Sequence, residues 1–367
     1  MKDFLKRYEG TLTVKGPVFV GSGRKIEKNE YLFLENKIGV MDIASFYGFM
    51  CKKGKREEFE KYLMNNKGTN LSAWLENNKI NKQDIFPYLK YTVDRGEFEV
   101  QNSQRRGLEV LEFTRDSYGK PFVPGSSIKG MLRTILLSED IMLDPQKHRK
   151  EKDAINAELF SKKNKVQLQK EISQIESNTF RTLECDIDKP GNATNDIMKG
   201  IIISDSSPLE NEDLVLCQKV EVLPDGKIKK LNILRECLKP GTKIHFSVTI
   251  DTNIFPYDDC DIKNAVEIFI NSYYEHFVKF FNFDRPGKNA VYLGGGCGFV
   301  SKTIIYPMFD DDGVKITQKI FQKTNVPKEH GHQKDSLYGV SPHVLKCTSY
   351  EGKLMQMGLC ELELSAV

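Results

Sequence analysis

Apolar and polar residues alternate in several short runs of this chain, and between those runs the apolar spacing changes to a helical period. Residues 9–20 alternate and are rich in β-branched types, which predicts a strand ending at a turn over Gly21, Ser22, Gly23 and Arg24. Two short extended segments follow at 31–34 and 37–40, and Asp42 stands where a cap would start a helix over 43–51. The polar stretch 56–89 reads as an inserted helical lobe anchored by Trp74, Leu75 and Phe86. Strand character returns at 108–114. A second charged, helix-prone insertion covers 146–177, with Lys147, Arg149, Lys150, Lys162, Lys163, Lys165 and Lys170 on its basic side. A strand at 200–205 closes the first half. Strands at 214–222, 229–237 and 243–250 open the second, the first two separated by the turn Pro224, Asp225, Gly226. The stripe Ile262, Val266, Phe269, Ile270, Tyr273, Phe277, Phe280 and Phe281 then predicts a helix packed on a sheet, and His276 reads as an ordinary surface or edge residue.

One segment, 122–133, joins an extended run to a helix whose apolar residues are Ile128, Leu132, Ile135 and Leu136. Pro124 and Gly125 make the turn, and Ser126 or Ser127 is placed to cap the helix. Free amides and the positive end of the helix dipole would face an anion there. Lys129 and Arg133, four residues apart, share one flank of that helix. A Walker loop is excluded, because Lys129 precedes Gly130 instead of following it.

A second turn, 291–303, repeats the arrangement with Gly294, Gly295, Gly296 and Gly298, and places Lys302 near the start of a following helix. Phe299 occupies the position where a dinucleotide fingerprint needs its third glycine, so a Rossmann reading fails. What is left is a loop with no Cβ atoms in the way, whose amides can approach a sugar–phosphate chain. Two such cradles, one per half, suggest two related α+β units.

At 367 residues two domains are expected, and a hydrophobic content of 39% is enough for both. Charged residues make up 29%, yet the net charge is only +3, so a polyanion would have to be held by local patches. No signal-peptide core or membrane-spanning run occurs, which predicts a cytoplasmic protein without a membrane partner. The 8 cysteines form no CxxC pair and read as reduced thiols. His330, His332, His343 and Cys347 are of the types that hold zinc, but their spacing matches no standard finger and their surroundings read as a polar loop. Neither a metal nor a cofactor is expected.

The strand with Gly21, Ser22 and Gly23, the segment 124–133, the strand 202–206, the turn 294–303 and the late segment 341–346 occur in an order that resembles the RAMP proteins of CRISPR systems. The likeness spans nearly the whole chain, and is nearest to the type III-A subunit that caps the Csm filament at the 3′ end of the guide. It implies an α+β fold of two ferredoxin-like (RRM-like) domains in tandem, here 1–206 with helical insertions and 207–367. It also implies binding of the 3′ region of CRISPR RNA through backbone contacts, docking on a neighbouring RAMP backbone subunit and other Csm subunits, and guide maturation by recruited host nucleases.

On this reading Gly21, Ser22, Gly23, Arg24, Gly125, Ser126, Ser127, Lys129, Arg133, Gly294, Gly295, Gly296, Gly298 and Lys302 contact RNA, and no residue is catalytic. The backbone subunit of the family cuts target RNA with an aspartate on an early loop; Asp42 is the nearest counterpart, and capping is its stronger role. The alternative is a repeat-cleaving, metal-independent endoribonuclease of the same fold, which needs a histidine base such as His245 or His343.

Overall fold

The computed structural model describes residues 4–64, 69–99, 109–162, 165, 166 and 168–367. Leu108 and Lys163, both included in the expectations above, lie outside the described residues, as do 65–68 of the first insertion.

The chain begins with strands β1 (Leu5–Val14), β2 (Gly21–Ile26), β3 (Tyr31–Phe33) and β4 (Lys37–Met41), then helices α1 (Ile43–Lys52), α2 (Arg56–Met64) and α3 (Leu71–Asn77). Strands β5 (Leu89–Asp94) and β6 (Glu109–Phe113) lead to α4 (Gly125–Leu143), α5 (Arg149–Phe160) and α6 (Gln169–Phe180). Next come β7 (Ile201–Ile203), β8 (Leu214–Val222), β9 (Ile228–Leu238), β10 (Lys243–Asp251), α7 (Asp259–His276) and β11 (Ala290–Tyr292). Helices α8 (Ile305–Phe309), α9 (Gly313–Lys323) and α10 (Asp335–Tyr338) precede β12 (Leu345–Tyr350), β13 (Lys353–Gln356) and β14 (Leu359–Ala366).

These strands form two sheets. One is five-stranded and antiparallel, in the order β11-β14-β1-β10-β7. The other is nine-stranded and mixed, running β2-β6-β9-β8-β5-β4-β3, with β12 on β8 and β13 on β12. Position 206/207 falls between β7 and β8, and strands from both sides of it meet in each sheet. Alternation along β1 buries Tyr8, Leu12 and Val14, and helices α4 and α7 pack on each other, adding Ile128, Leu132, Val266 and Phe269 to the same core. Asp258 caps α7 in a reciprocal capping box with Asp261.

Both insertions are helical. The first has its own core of Phe46, Met50, Phe59, Trp74 and Leu75. Phe86 is not an anchor there: the tight 3-10 helix Lys82–Tyr88 turns Ile85 inward and leaves Phe86 50% exposed. The second insertion is a hairpin of α5 and α6, holding Ile155, Leu159, Ile175 and Phe180 inside, while Arg149, Lys150, Lys162, Lys165 and Lys170 face water.

Candidate nucleic-acid interface

The start of α4 is built as a joint within the fold. The Gly125 amide donates to Asp205 Oδ1 at 2.8 Å, so a carboxylate of the chain itself meets the positive end of the helix. A Cβ at position 125 would lie 2.3 Å from the Ile203 carbonyl oxygen and 2.6 Å from that of Ser204, so only glycine allows this approach. Ser126 and Ser127 do not cap the helix. Pro124 holds the cap position without a side-chain bond, and the carboxylate that serves instead arrives from the segment after β7. Lys129 Nζ donates to the Ile201 carbonyl at 2.8 Å, and burial lowers its pKa below the usual lysine range. Arg133 reaches Asp196 at 2.9 Å and Glu176 at 3.3 Å, with its guanidinium 4.1 Å over the Phe180 ring. Both cations of this turn therefore have partners inside the chain.

The other glycine turn is different. Gly294, Gly296 and Gly298 have φ of +82°, +88° and +99°, a backbone that side chains rarely tolerate. Gly295 N–H donates to the Phe19 carbonyl at 2.6 Å, which ties the loop to the residues just before β2. The loop thus lies against Phe19 and Val20, the two residues that lead into 21–24. Gly21, Ser22, Gly23 and Arg24 are not a turn, however: they open β2, and an irregular register against β6 absorbs Gly23 at φ +85°. Ser22 donates to Glu112 Oε2 at 3.1 Å and Arg24 is paired with Glu30 and Glu112.

Beneath the open loop lies a group of cations that the sequence reading did not assign. An ideal Cβ on Gly296 would stand 3.2 Å from Arg235 Nη1, and one on Gly298 would stand 3.5 Å from Lys346 Cγ. Alternation on β9 sets this up: Glu236 points inward to Arg115 at 3.3 Å and the Phe113 amide at 2.9 Å, so Arg235 faces the loop. Arg235 also sits 5.6 Å over the Phe19 ring, and its Nε is buried without a partner. Lys346 bonds Glu221 at 2.5 Å, and Lys219 lies 3.6 Å from the same carboxylate. Burial, with Lys346 and Arg235 close by, lowers the Lys219 ammonium below its usual range. Lys346 and Lys219 share the Glu221 carboxylate, and Arg235 has no ion pair among the described residues, so the patch is net positive. It borders a groove of about 650 Å³ lined also by Lys229, Phe299 and Phe321. Lys302, in the one-turn helix Val300–Lys302, is exposed and has no ion pair among the described residues. The helix expected to follow the loop at once is only this single turn; α8 begins at Ile305.

The fold and this open loop can be set beside known proteins. A family model described as the RAMP superfamily matches residues 11–301. The chain belongs to the RAMP superfamily. Its RAMP relatives include a Mycobacterium tuberculosis protein named CRISPR system Cms protein Csm5, 31% identical over 393 residues and covering 99% of each chain. The Streptococcus thermophilus protein of the same name is 28% identical over 312 residues, covering 83% of this chain and 82% of its own. A chain in the cryo-EM structure of a Csm–crRNA–target RNA ternary complex from a type III-A CRISPR-Cas system has a TM-score of 0.62 at 19% identity, covering 97% of this chain and 100% of that one. The crystal structure of T. onnurineus Csm5 has a TM-score of 0.59 at 16% identity, covering 96% and 99%. These two likenesses show the α+β RAMP fold.

Other residues weighed as candidates have structural partners. Asp42 caps α1, accepting from the Ser45 amide at 3.1 Å and its hydroxyl at 2.6 Å, and those bonds hold its pKa below the usual carboxylate range. His245 meets Thr11 at 3.1 Å, and His276 bridges Asp310 at 2.6 Å while stacking on Tyr306. Cys347 is buried on β12, apart from the histidines it was grouped with; Asp335 stands with His332 and His343 in its place. No helix among the described residues is long and apolar enough to cross a membrane. Arg235, Lys219 and Lys346 had one local signal, a charged residue on the half-exposed phase of an alternating strand.

Proposed function

We propose that this chain is a subunit of a type III-A Csm effector complex. It holds the 3′ region of CRISPR RNA by the sugar–phosphate backbone, docks on a neighbouring RAMP backbone subunit, and does not itself cut RNA. Trimming of the guide falls to recruited nucleases. End-to-end similarity to Csm5 proteins supports the subunit assignment. One observation carries the contact assignment: in the 294–298 loop Gly296 and Gly298 present backbone without side chains beside Arg235 and Lys346, while the Cys297 side chain turns inward to the Leu293 carbonyl. Amides and partly buried cations of this kind grip phosphates without reading bases. Gly21, Ser22 and Gly23 extend the same surface, and Lys302 adds an exposed charge at its edge.

The test is salt-dependent binding of single-stranded RNA by the Arg235→Ala/Lys346→Ala double variant. Each phosphate that is no longer neutralised should lower the slope of log K against log salt by about 0.7. The expected result is a slope smaller by about 1.4, with affinity down about tenfold for every RNA sequence tried. An unchanged slope in a folded variant would remove this site from the proposal.

A further inference from the structure

Beside the groove, three potential metal ligands converge in a place that RNA contact does not explain. A ring nitrogen of His332, a ring nitrogen of His343 and a carboxylate oxygen of Asp335 all lie within 4.8 Å of one another. Asp335 is wholly buried, and its ion-pair partners among the described residues are those two imidazoles, His332 at 3.2 Å and His343 closer. No described lysine or arginine balances it. The buried carboxylate and the two imidazoles together offer three ligand groups to a divalent cation, whose charge would neutralise the anion inside the protein.

The surrounding groups fix each ligand. The Ser341 hydroxyl donates to Asp335 Oδ2, and Ser341 is itself held through its backbone by the Tyr306 hydroxyl at 2.8 and 3.1 Å. His343 stacks on Tyr338 at 5.5 Å and 17°, and His332 lies 4.3 Å from the Phe321 ring. Outer partners that orient the ligands in this way are characteristic of metal centres.

We infer that His332, His343 and Asp335 bind a zinc ion, with water in the fourth position. Two imidazoles and one carboxylate suit zinc, and small rotations would bring all three donors about 2.0–2.2 Å from one centre. His332 and His343 also line the groove, so the open position faces it. Binding displaces any proton on the two ligating ring nitrogens and ties the 331–343 segment to the wall that ends in Lys346.

The experiment uses the full chain, loaded with zinc sulfate and freed of excess by gel filtration, and measures metal by mass spectrometry. About one zinc per chain is expected, falling at least tenfold in the His332→Ala/His343→Ala variant. X-ray absorption on the loaded wild-type chain needs no variant and should show nitrogen and oxygen neighbours with an imidazole signature. Less than a tenth of an equivalent in the wild type overturns the inference, as does full occupancy in the double variant. A sulfur shell would also overturn it, since that would place the ion at the competing Asp258, Asp259 and Cys260 cluster. These readouts involve no RNA, so their failure is separate from failure of the RNA-binding proposal.

Discussion

The two glycine turns follow the same local plan, a strand, then glycine, then a lysine-bearing helical start, yet one is closed by the fold, while the other is pinned to Phe19 at Gly294 and Gly295 and open at Gly296 and Gly298. At Gly125 the free amide meets Asp205, Lys129 meets the Ile201 carbonyl and Arg133 meets Asp196. At 294–298 the main chain runs over Arg235 and Lys346, which lack a comparable set of backbone partners. A motif with donors and cations describes a capacity to bind an anion. Whether the anion is a ligand or another part of the chain depends on what the sheet brings opposite it.

The largest effect should come from testing how closed the first turn is. Gly125→Ala forces a Cβ to within 2.3 Å of a backbone oxygen that cannot rotate away, and should cost about 3 kcal/mol in a urea melt. Gly298→Ala meets nothing nearer than 3.5 Å and carries only the strain of its positive φ, about 1 to 2 kcal/mol. If the order of these two losses were reversed, the distinction between a packed joint and an open loop would not hold.

Glu139, further along α4, gives the closed side a pH dependence. Burial, with Asp261 and Asp140 nearby, pushes its pKa up to about 7. A carboxyl raised in this way favours the folded state below its unfolded pKa, and that contribution is lost as pH rises through about 7. Its neighbour Asp140 behaves oppositely. Burial would raise it, but bonds from His148, Lys147 and Thr179 outweigh that and hold it at about 2, so its contribution fades only in strong acid. Glu139→Gln should therefore match wild type near pH 4.5 and exceed it at pH 8 by about 1 to 3 kcal/mol, measured by denaturant melts at both pH values.

Much of the fold follows from local pattern. The period of α4, the stripe and Asp258 cap of α7, and the alternation in β8, β9 and β10 all lie within a few residues of their cause. What was hidden depended on distant partners. Asp205 reaches Gly125 from 80 positions away, which is why a serine cap was expected where none forms. Gly21 to Arg24 read as a turn because the strand that pairs with them, β6, lies far along the chain. The open site was half visible: its glycines stand together in sequence, while Lys219, Arg235 and Lys346 come from three strands of one sheet. The histidines are visible in sequence, but their buried carboxylate, Asp335, is not, because a lone aspartate in a polar stretch carries no periodic signal.

The smallest effect addresses the comparison most directly. Asp205→Ala removes the carboxylate from the Gly125 amide and should cost about 1 kcal/mol, the usual worth of a capping bond together with its dipole term. It also returns the helix start to the state in which a phosphate could occupy it. Because Lys129 and Arg133 remain bound to Ile201, Asp196 and Glu176, no cation is released with the amide, and RNA affinity should not change. A gain in affinity, with a salt slope steeper by about 0.7, would mean that α4 holds a second phosphate cradle which Asp205 keeps shut. The two turns would then differ by one side chain and not by their place in the sheets.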